Sequence, residues 1–233
     1  MRGNNMQGLE LTKTSKYWSE LPGNADPLNV MKAVFESDNE YGIPTIKAQN
    51  FVPTDLVMYG QEVRRPKKET WDKTIHFFLD DYKFEPLWNR PIKTLSMIQK
   101  IGKALSPDFS LYMNYPRAIQ IYNVYRNRWM GRFWQENGVQ VIPTIAWSDK
   151  ESYEYSFLGV EKHSTVAIST VGLKSKEARQ PFIDGFNEMI KQIEPKELIV
   201  YGELEPVDFD RHVDKVHRYE TYWAKRRGEI NGR

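Results

Sequence analysis

At 233 residues, with 40% hydrophobic and 27% charged side chains, the chain is large enough to bury one α/β core without needing a second domain. A formal net charge of +2 gives no global attraction to nucleic acid, although local clusters can still act. The absence of cysteine excludes disulfides, thiolate catalysis and cysteine metal sites, and no apolar run reaches membrane-spanning length, so the expectation is a cytoplasmic protein with no membrane partner.

In chain order, residues 1–24 are polar and rich in turn formers, and read as a poorly ordered arm. Asp26-Pro27 followed by Leu28, Val30, Met31, Val34 and Phe35 predicts a short helix. Tyr41–Lys47 reads as a first strand, with Pro44 placing it at an edge, and Leu56–Tyr59 as a second. Gln61–Thr70 carries Arg64, Arg65, Lys67 and Lys68, either as a solvated loop or as a phosphate-contacting patch. Thr74–Leu79 is the next strand. It runs into Asp80-Asp81-Tyr82, and a helix from Pro91 through Leu105 follows.

The stretch from Pro107 to Asp149 reads as a strand–helix–strand unit. Phe109–Met113 predicts a strand, introduced by Ser106-Pro107-Asp108. Pro116 suits a first helical position with Asn114 near enough to help cap it. Ala118, Tyr122, Tyr125, Trp129 and Phe133 then recur at the helical period, with arginines mostly between them, until Gly138. Val139–Trp147 is almost continuously apolar, as a strand covered on both faces would be. A helical segment near Glu151–Leu158, a strand Thr165–Val171, a helix Lys176–Ile193 and a strand Glu197–Tyr201 complete the alternation, and the charged, aromatic tail (207–233) reads as a surface helix. The fold class is therefore α/β: a mostly parallel sheet of six to seven strands with helices outside, within one domain over residues 25–233. Short strands ending in polar or aromatic clusters favour an incomplete or irregular barrel over an open doubly wound sheet.

In either closure the ligand site lies at the C-terminal ends of the strands. The carboxylates expected there are Asp80, Asp81, Glu85, Asp149 and Glu203, as acid–base groups; Asp80 and Asp81 are also the candidates for Mg²⁺ or Mn²⁺. Lys47, Asn50, Asn114, Arg117, Trp147, Ser169 and Thr170 are candidate ligand-binding residues, joined by Asn123 and Arg126 of the central helix. The bland alternative is that Asp80 and Asp81 cap the next helix or pair with basic neighbours. On the central helix, the mixture of Tyr122, Asn123, Tyr125, Arg126, Asn127, Arg128 and Trp129 either stacks on bases or packs on the sheet, and its spacing favours packing. His76 reads as a core residue, and His212 and His217, five apart, argue against a histidine zinc site. There is no GxGxxG, Walker or GxSxG motif, and no haem, flavin or dinucleotide signature.

The run from PDFSLY through YPRAIQIYNVYRNRWMGRFWQENGVQVIPTIAWSD resembles a family of uncharacterised proteins of phages, prophages and conjugative elements of Gram-positive bacteria, with FLDDYKFEPLW before it and VAISTVG and IVYGE after it. The resemblance spans about Gly42 to Glu203. It implies a mobile-element origin and a bacterial host cytoplasm, and brings no reaction with it. The expected function is action on a nucleotide, nucleic acid or other phosphorylated ligand by carboxylate-assisted chemistry. The alternative is a non-catalytic binding protein, a replication accessory factor or an inhibitor of a host defence system, whose partner is a host protein.

Overall fold

The structure, a computed structural model, describes residues 26–173, 176–203 and 209–231; the expected N-terminal arm lies outside them. The first part of the chain gives β1 (Leu56–Met58), α1 (Gln61–Arg64), β2 (Thr74–His76), α2 (Glu85–Asn89), α3 (Pro91–Ile101) and β3 (Lys103–Leu105). Next come α4 (Arg117–Glu136), β4 (Gln140–Ile142), α5 (Tyr153–Ser156) and β5 (Thr165–Ser169). The last elements are α6 (Lys176–Ile193), β6 (Glu197–Tyr201), β7 (Lys215–Tyr219) and α7 (Tyr222–Asn231). All strand pairs are parallel. They form a four-stranded sheet, β1-β2-β3-β4, and a three-stranded sheet, β5-β6-β7.

Side-chain alternation along the strands shows how the sheets share their cores. Val57, Ala104 and Val141 face α4 with Trp129, Phe133 and Trp134. Val166, Ile168, Leu198 and Val200 face Phe182, Phe186 and Met189 of α6. The residues one step along, Leu56, Leu105, Ile142, Ala167, Ile199 and Tyr201, leave both sheets on the opposite face and meet in a single cluster. Between the sheets, β4 and β5 are joined by one bridge, Thr144 to Ala167. Between β7 and β1 no ladder forms among the described residues; the Tyr219 hydroxyl donates to the Pro53 carbonyl (2.5 Å), and Lys225 of α7 pairs with Asp55 (2.5 Å). The seven strands among the described residues thus make two parallel sheets, of four and three strands, and no closed barrel.

Other expectations are corrected. Gly102, at φ 76°, ends α3 as a left-handed cap, so β3 follows where a continuing helix was expected. Phe109–Met113 is then a loop and not a strand. Tyr41–Lys47 contributes only an isolated bridge from Ile46 to Val160. Residues 26–35 form turns, with Asp26 accepting from the Met31 N–H (3.1 Å) and pairing with Lys32 (3.1 Å). In the tail, Lys215–Tyr219 is a strand; Lys215 and His217 reach Glu197 on β6 at 3.4 and 2.9 Å. The expected helix is confined to α7.

The crossover β3–α4–β4 is held by polar side chains of α4. Arg128 is 2% exposed. Its guanidinium donates to the carbonyls of Thr144 (3.0 Å), Ser156 (2.9 Å) and Leu158 (2.9 Å), and to Asn127 Oδ1 (2.6 Å). Asn127 in turn donates to the Pro107 carbonyl (2.7 Å) and accepts from the Ser106 hydroxyl (2.7 Å), which itself accepts from the Thr144 N–H (2.8 Å). Replacing Arg128 with leucine is expected to destabilise the fold by about 3 kcal/mol, because several buried acceptors lose their donor at once. Urea denaturation of the two proteins checks this.

Candidate functional site

Three adjoining cavities lie across the C-terminal ends of the strands. The central one, about 730 Å³, is lined by Met58 at the end of β1, Phe78–Asp80 and Lys83 after β2, Thr170–Leu173 after β5, Tyr201–Glu203 at the end of β6, and the start of α7. A second, about 450 Å³, shares Phe78–Asp80 and Val171–Leu173 with it and is completed by Asp108, Ser110, Tyr112, Ala146 and Trp147. The third, about 540 Å³, shares Met58, Leu79 and Lys83 with the first and is walled by Tyr59 and by Arg64 and Arg65 of α1 and the residue after it.

The floor is aromatic. His76 is buried, its ring 4.4 Å from that of Tyr201 and 5.5 Å from that of Phe78, and its Nδ1 accepts from the Phe78 N–H (3.3 Å). Burial, assisted by the Lys225 ammonium, lowers its pKa to about 3, so the ring is neutral. Gly202, at φ 103°, lets the chain after β6 pass against the loop after β5: a Cβ there would lie 2.6 Å from Thr170 Oγ1. Gly185 does the same for α6, where a Cβ would run into the Trp147 indole.

Asp108 is the titratable group best placed in the second cavity. Burial, with the neighbouring Asp81 carboxylate, pushes its pKa up to about 7. Asp81 is a fixed neighbour, since its two oxygens accept from the Ser110 N–H (3.0 Å) and hydroxyl (2.8 Å). The sequence does not single out Asp108, because a strand over Phe109–Met113 makes it part of the lead-in. The short, polar approach Ser106-Pro107-Asp108 after an apolar Ala104-Leu105 pair was the available signal.

The expected site residues divide by position. Asp80, Trp147, Ser169, Thr170 and Glu203 line the cavities. Asp80 also pairs with Lys83 (2.7 Å). Asp81 braces the wall as described. Glu85 chelates Arg126 at 2.8 and 2.9 Å; that guanidinium lies 3.9 Å from the Phe109 ring and donates to Asn123 Oδ1 (2.7 Å), while Asn123 donates to the Ser110 carbonyl (2.7 Å). Glu85, Asn123 and Arg126 therefore sit behind the wall and hold it, where Glu85 was expected as an acid–base group and Asn123 and Arg126 as ligand-binding residues. Asp149 accepts from the Ser152 N–H (3.1 Å) and caps the turn Lys150–Ser152. Arg117 reaches the Glu151 carbonyl (3.2 Å), and Asn114 is on an exposed turn. Lys47 and Asn50 do not join the rim: Lys47 exchanges hydrogen bonds with the Gln135 side chain (2.9 and 2.8 Å), and Ile46 and Ala48 run along residues 159–161, which lead into the start of β5. Among the described residues no three His, Asp or Glu side chains converge as a metal ion requires, and Asp80 and Asp81 are turned to Lys83 and Ser110; the pair does not fit a preformed Mg²⁺ or Mn²⁺ site. No helix among the described residues is long and apolar enough to cross a membrane.

Parallel strands, covering helices and a cavity mouth at the strand ends define a protein of the α/β class with its concave surface where that class places ligands. Residues 35–220 match the family described as domain of unknown function DUF4417, and the chain belongs to that family of phage proteins. It is similar to the Gene 1 protein of Mycobacterium phage L5, 41% identical over 217 residues covering 93% of this chain and 94% of that protein. It is also similar to the Gene 1 protein of Mycobacterium phage D29, 38% identical over 221 residues covering 94% and 81%. No solved structure matches.

His76 and Asp108 give the folded state opposite responses to pH. The folded pKa of His76 is below its ordinary value of 6.5, so the stability it allows is complete above pH 6.5 and is lost as pH falls toward 3. The folded pKa of Asp108 is above its ordinary 3.8, so its contribution is complete below pH 3.8 and is lost as pH rises through 7. From about pH 4 to 6.5 the two offset each other. His76→Gln is expected to make the protein less stable relative to its own low-pH value as pH rises across that window, and Asp108→Asn to make it less stable as pH falls. The limit is about 1.4 kcal/mol per pH unit for His76 and less for Asp108, whose carboxyl is partly open to water. Urea denaturation of wild type and both variants at pH 4.5 and 6.5 reads the two slopes.

Proposed function

We propose that this phage protein binds a phosphorylated ligand, a nucleotide or nucleic acid, in the strand-end cavities and acts on it with Asp108 as the acid–base group. The observation that carries the reading is the lining of that mouth: in the second cavity a partly buried carboxyl with a pKa near neutrality, and in the adjoining central one Arg179, whose Nε is buried with no partner among the described residues, and the exposed Arg227. A group with a pKa of about 7 exchanges protons readily at neutral pH, and guanidinium groups suit phosphate oxygens. Asp80 and Glu203, also on the mouth, are the other carboxylates able to meet a ligand. The cluster shared by both sheets supports an incomplete, barrel-like wrap, with the contacts of Tyr219 and Lys225 spanning the gap. The host cytoplasm is the compartment in which such a ligand would be met.

A second reading, a binding protein without chemistry that engages a host protein, has its own support. Tyr112, Met113, Tyr115 and Ile119 are all exposed on the loop and first turn between β3 and the body of α4. The experiment that separates the two compares wild type with Asp108→Asn and Arg227→Ala for nucleotide binding and nucleotide turnover. The first reading expects Asp108→Asn to keep binding and lose turnover by about 100-fold or more, with Arg227→Ala weakening binding. Binding without turnover in the wild type would remove the acid–base role of Asp108, and no nucleotide binding at all would move the protein to the second reading.

A further inference from the structure

The three cavities adjoin in series, the first sharing lining residues with each of the other two. Leu79 lines all of them; Met58 and Lys83 divide the third from the first, and Phe78, Asp80 and Val171–Leu173 divide the first from the second. Each is by itself within the range of about 300–1,000 Å³ that holds one small ligand. A single nucleotide would occupy one compartment and leave the others to water. A linear chain of nucleotides would occupy the series.

The walls have the chemistry such a chain needs. At one end stand Arg64 and Arg65, both exposed and in no ion pair among the described residues; the Arg64 guanidinium rests 5.6 Å from the Tyr59 ring centre. In the middle are Arg227 and the buried, unpartnered Nε of Arg179. The opposing carboxylates are Asp80, which is neutralised by Lys83, and Asp108 and Glu203. Two large aromatics on the lining are left open to solvent: Trp223 in the central cavity, 65% exposed, and Tyr112 in the second, 56% exposed. Exposed rings on a concave, cation-bearing surface are platforms for bases, whose flat faces are accessible only when strands are unpaired. A duplex presents its phosphates on a convex surface and keeps its base faces stacked inside.

We infer that the strand-end groove is a binding track for single-stranded nucleic acid, with Trp223 and Tyr112 stacking on bases and Arg64, Arg65, Arg179 and Arg227 following the backbone. This rests on the reading of the mouth as a site for a phosphorylated ligand, and names the class of that ligand.

Fluorescence anisotropy with a labelled twelve-nucleotide oligothymidylate, its oligouridylate counterpart, a duplex of the same length and free thymidine monophosphate as competitor tests it. The expected result is that one of the single strands binds at least tenfold more tightly than the mononucleotide and the duplex. The preferred sugar then tells DNA from RNA. Trp223→Ala should weaken the single strand by about tenfold and leave mononucleotide competition less changed. The paired variant Arg64→Ala with Arg65→Ala should reduce the slope of log affinity against log salt by about 1.4, for two lost phosphate contacts. All of these side chains are exposed, and unchanged urea denaturation of the variants verifies their folding. If the mononucleotide binds but the single strand gains nothing over it, or the duplex binds equally well, or the variants bind like wild type, the track is overturned while the phosphorylated-ligand site stands. If neither mononucleotide nor oligonucleotide binds, both are overturned.

Discussion

The buried guanidinium of Arg128 is the constraint around which the mouth is built. Moving such a charge out of water is costly, and here no carboxylate accompanies it among the described residues: the charge is met by three backbone carbonyls and the oxygen of Asn127. Burial lowers its pKa to about 9, which still leaves it protonated at neutral pH and able to use every donor. The carbonyl acceptors come from the chain after β4, from the end of α5 and from the loop leading to β5. One side chain thereby fixes the place where the two sheets meet, because Thr144, which supplies one of those carbonyls, also forms the bridge to Ala167. The arrangement is specific in a way that apolar packing is not, since displacing any of these loops leaves part of the charge unsatisfied.

That constraint matters more because the ladders are short. Every strand of the first sheet has three residues, against five in the second. Few backbone hydrogen bonds can then hold β1–β4 in register, and side chains from outside the strands add to them. Gln49 Oε1 accepts from the Val141 N–H (2.5 Å), and Asn127 and Ser106 link the ends of β3 and β4 through α4. Short strands also leave long connections at their C-terminal ends, and those connections carry the polar groups of the cavities. The scaffold has less sheet and more loop where the cavities lie.

How much of this was legible follows from which forces act locally. The amphipathic stripe of Phe182, Phe186, Met189 and Ile193 located α6 with its observed limits, and the apolar run of Glu197–Tyr201 located β6, because both patterns are set by burial on one side or two. The strand β3 was hidden by a single residue: reading helix through Gly102 absorbed Lys103–Leu105 and shifted the next strand onto Phe109–Met113. Asp108 fell out of view with that shift. Arg126 and Arg128 were illegible for another reason. A charged residue on a helix is ordinarily solvated, and only the tertiary positions of Glu85, Ser156 and Leu158 reveal partners for these two. The strand β7 reads Lys-Val-His-Arg-Tyr, with too little apolar content to stand out, since its partners on Glu197 are ionic.

The conspicuous aromatic and basic helix is therefore a brace, and its function reaches the cavity indirectly. Ser110 is held from one side by Asp81 and from the other by Asn123, which Arg126 and Glu85 fix in turn; Pro107 is held by Asn127. Asp108 lies between those two anchors on a loop that cannot move far without breaking one of them. Its proton affinity depends on burial and on the nearness of Asp81, and both are properties of that loop's position. The network that stabilises the crossover thus also fixes the surroundings of the Asp108 carboxyl, through residues of α4 that do not themselves line the cavities.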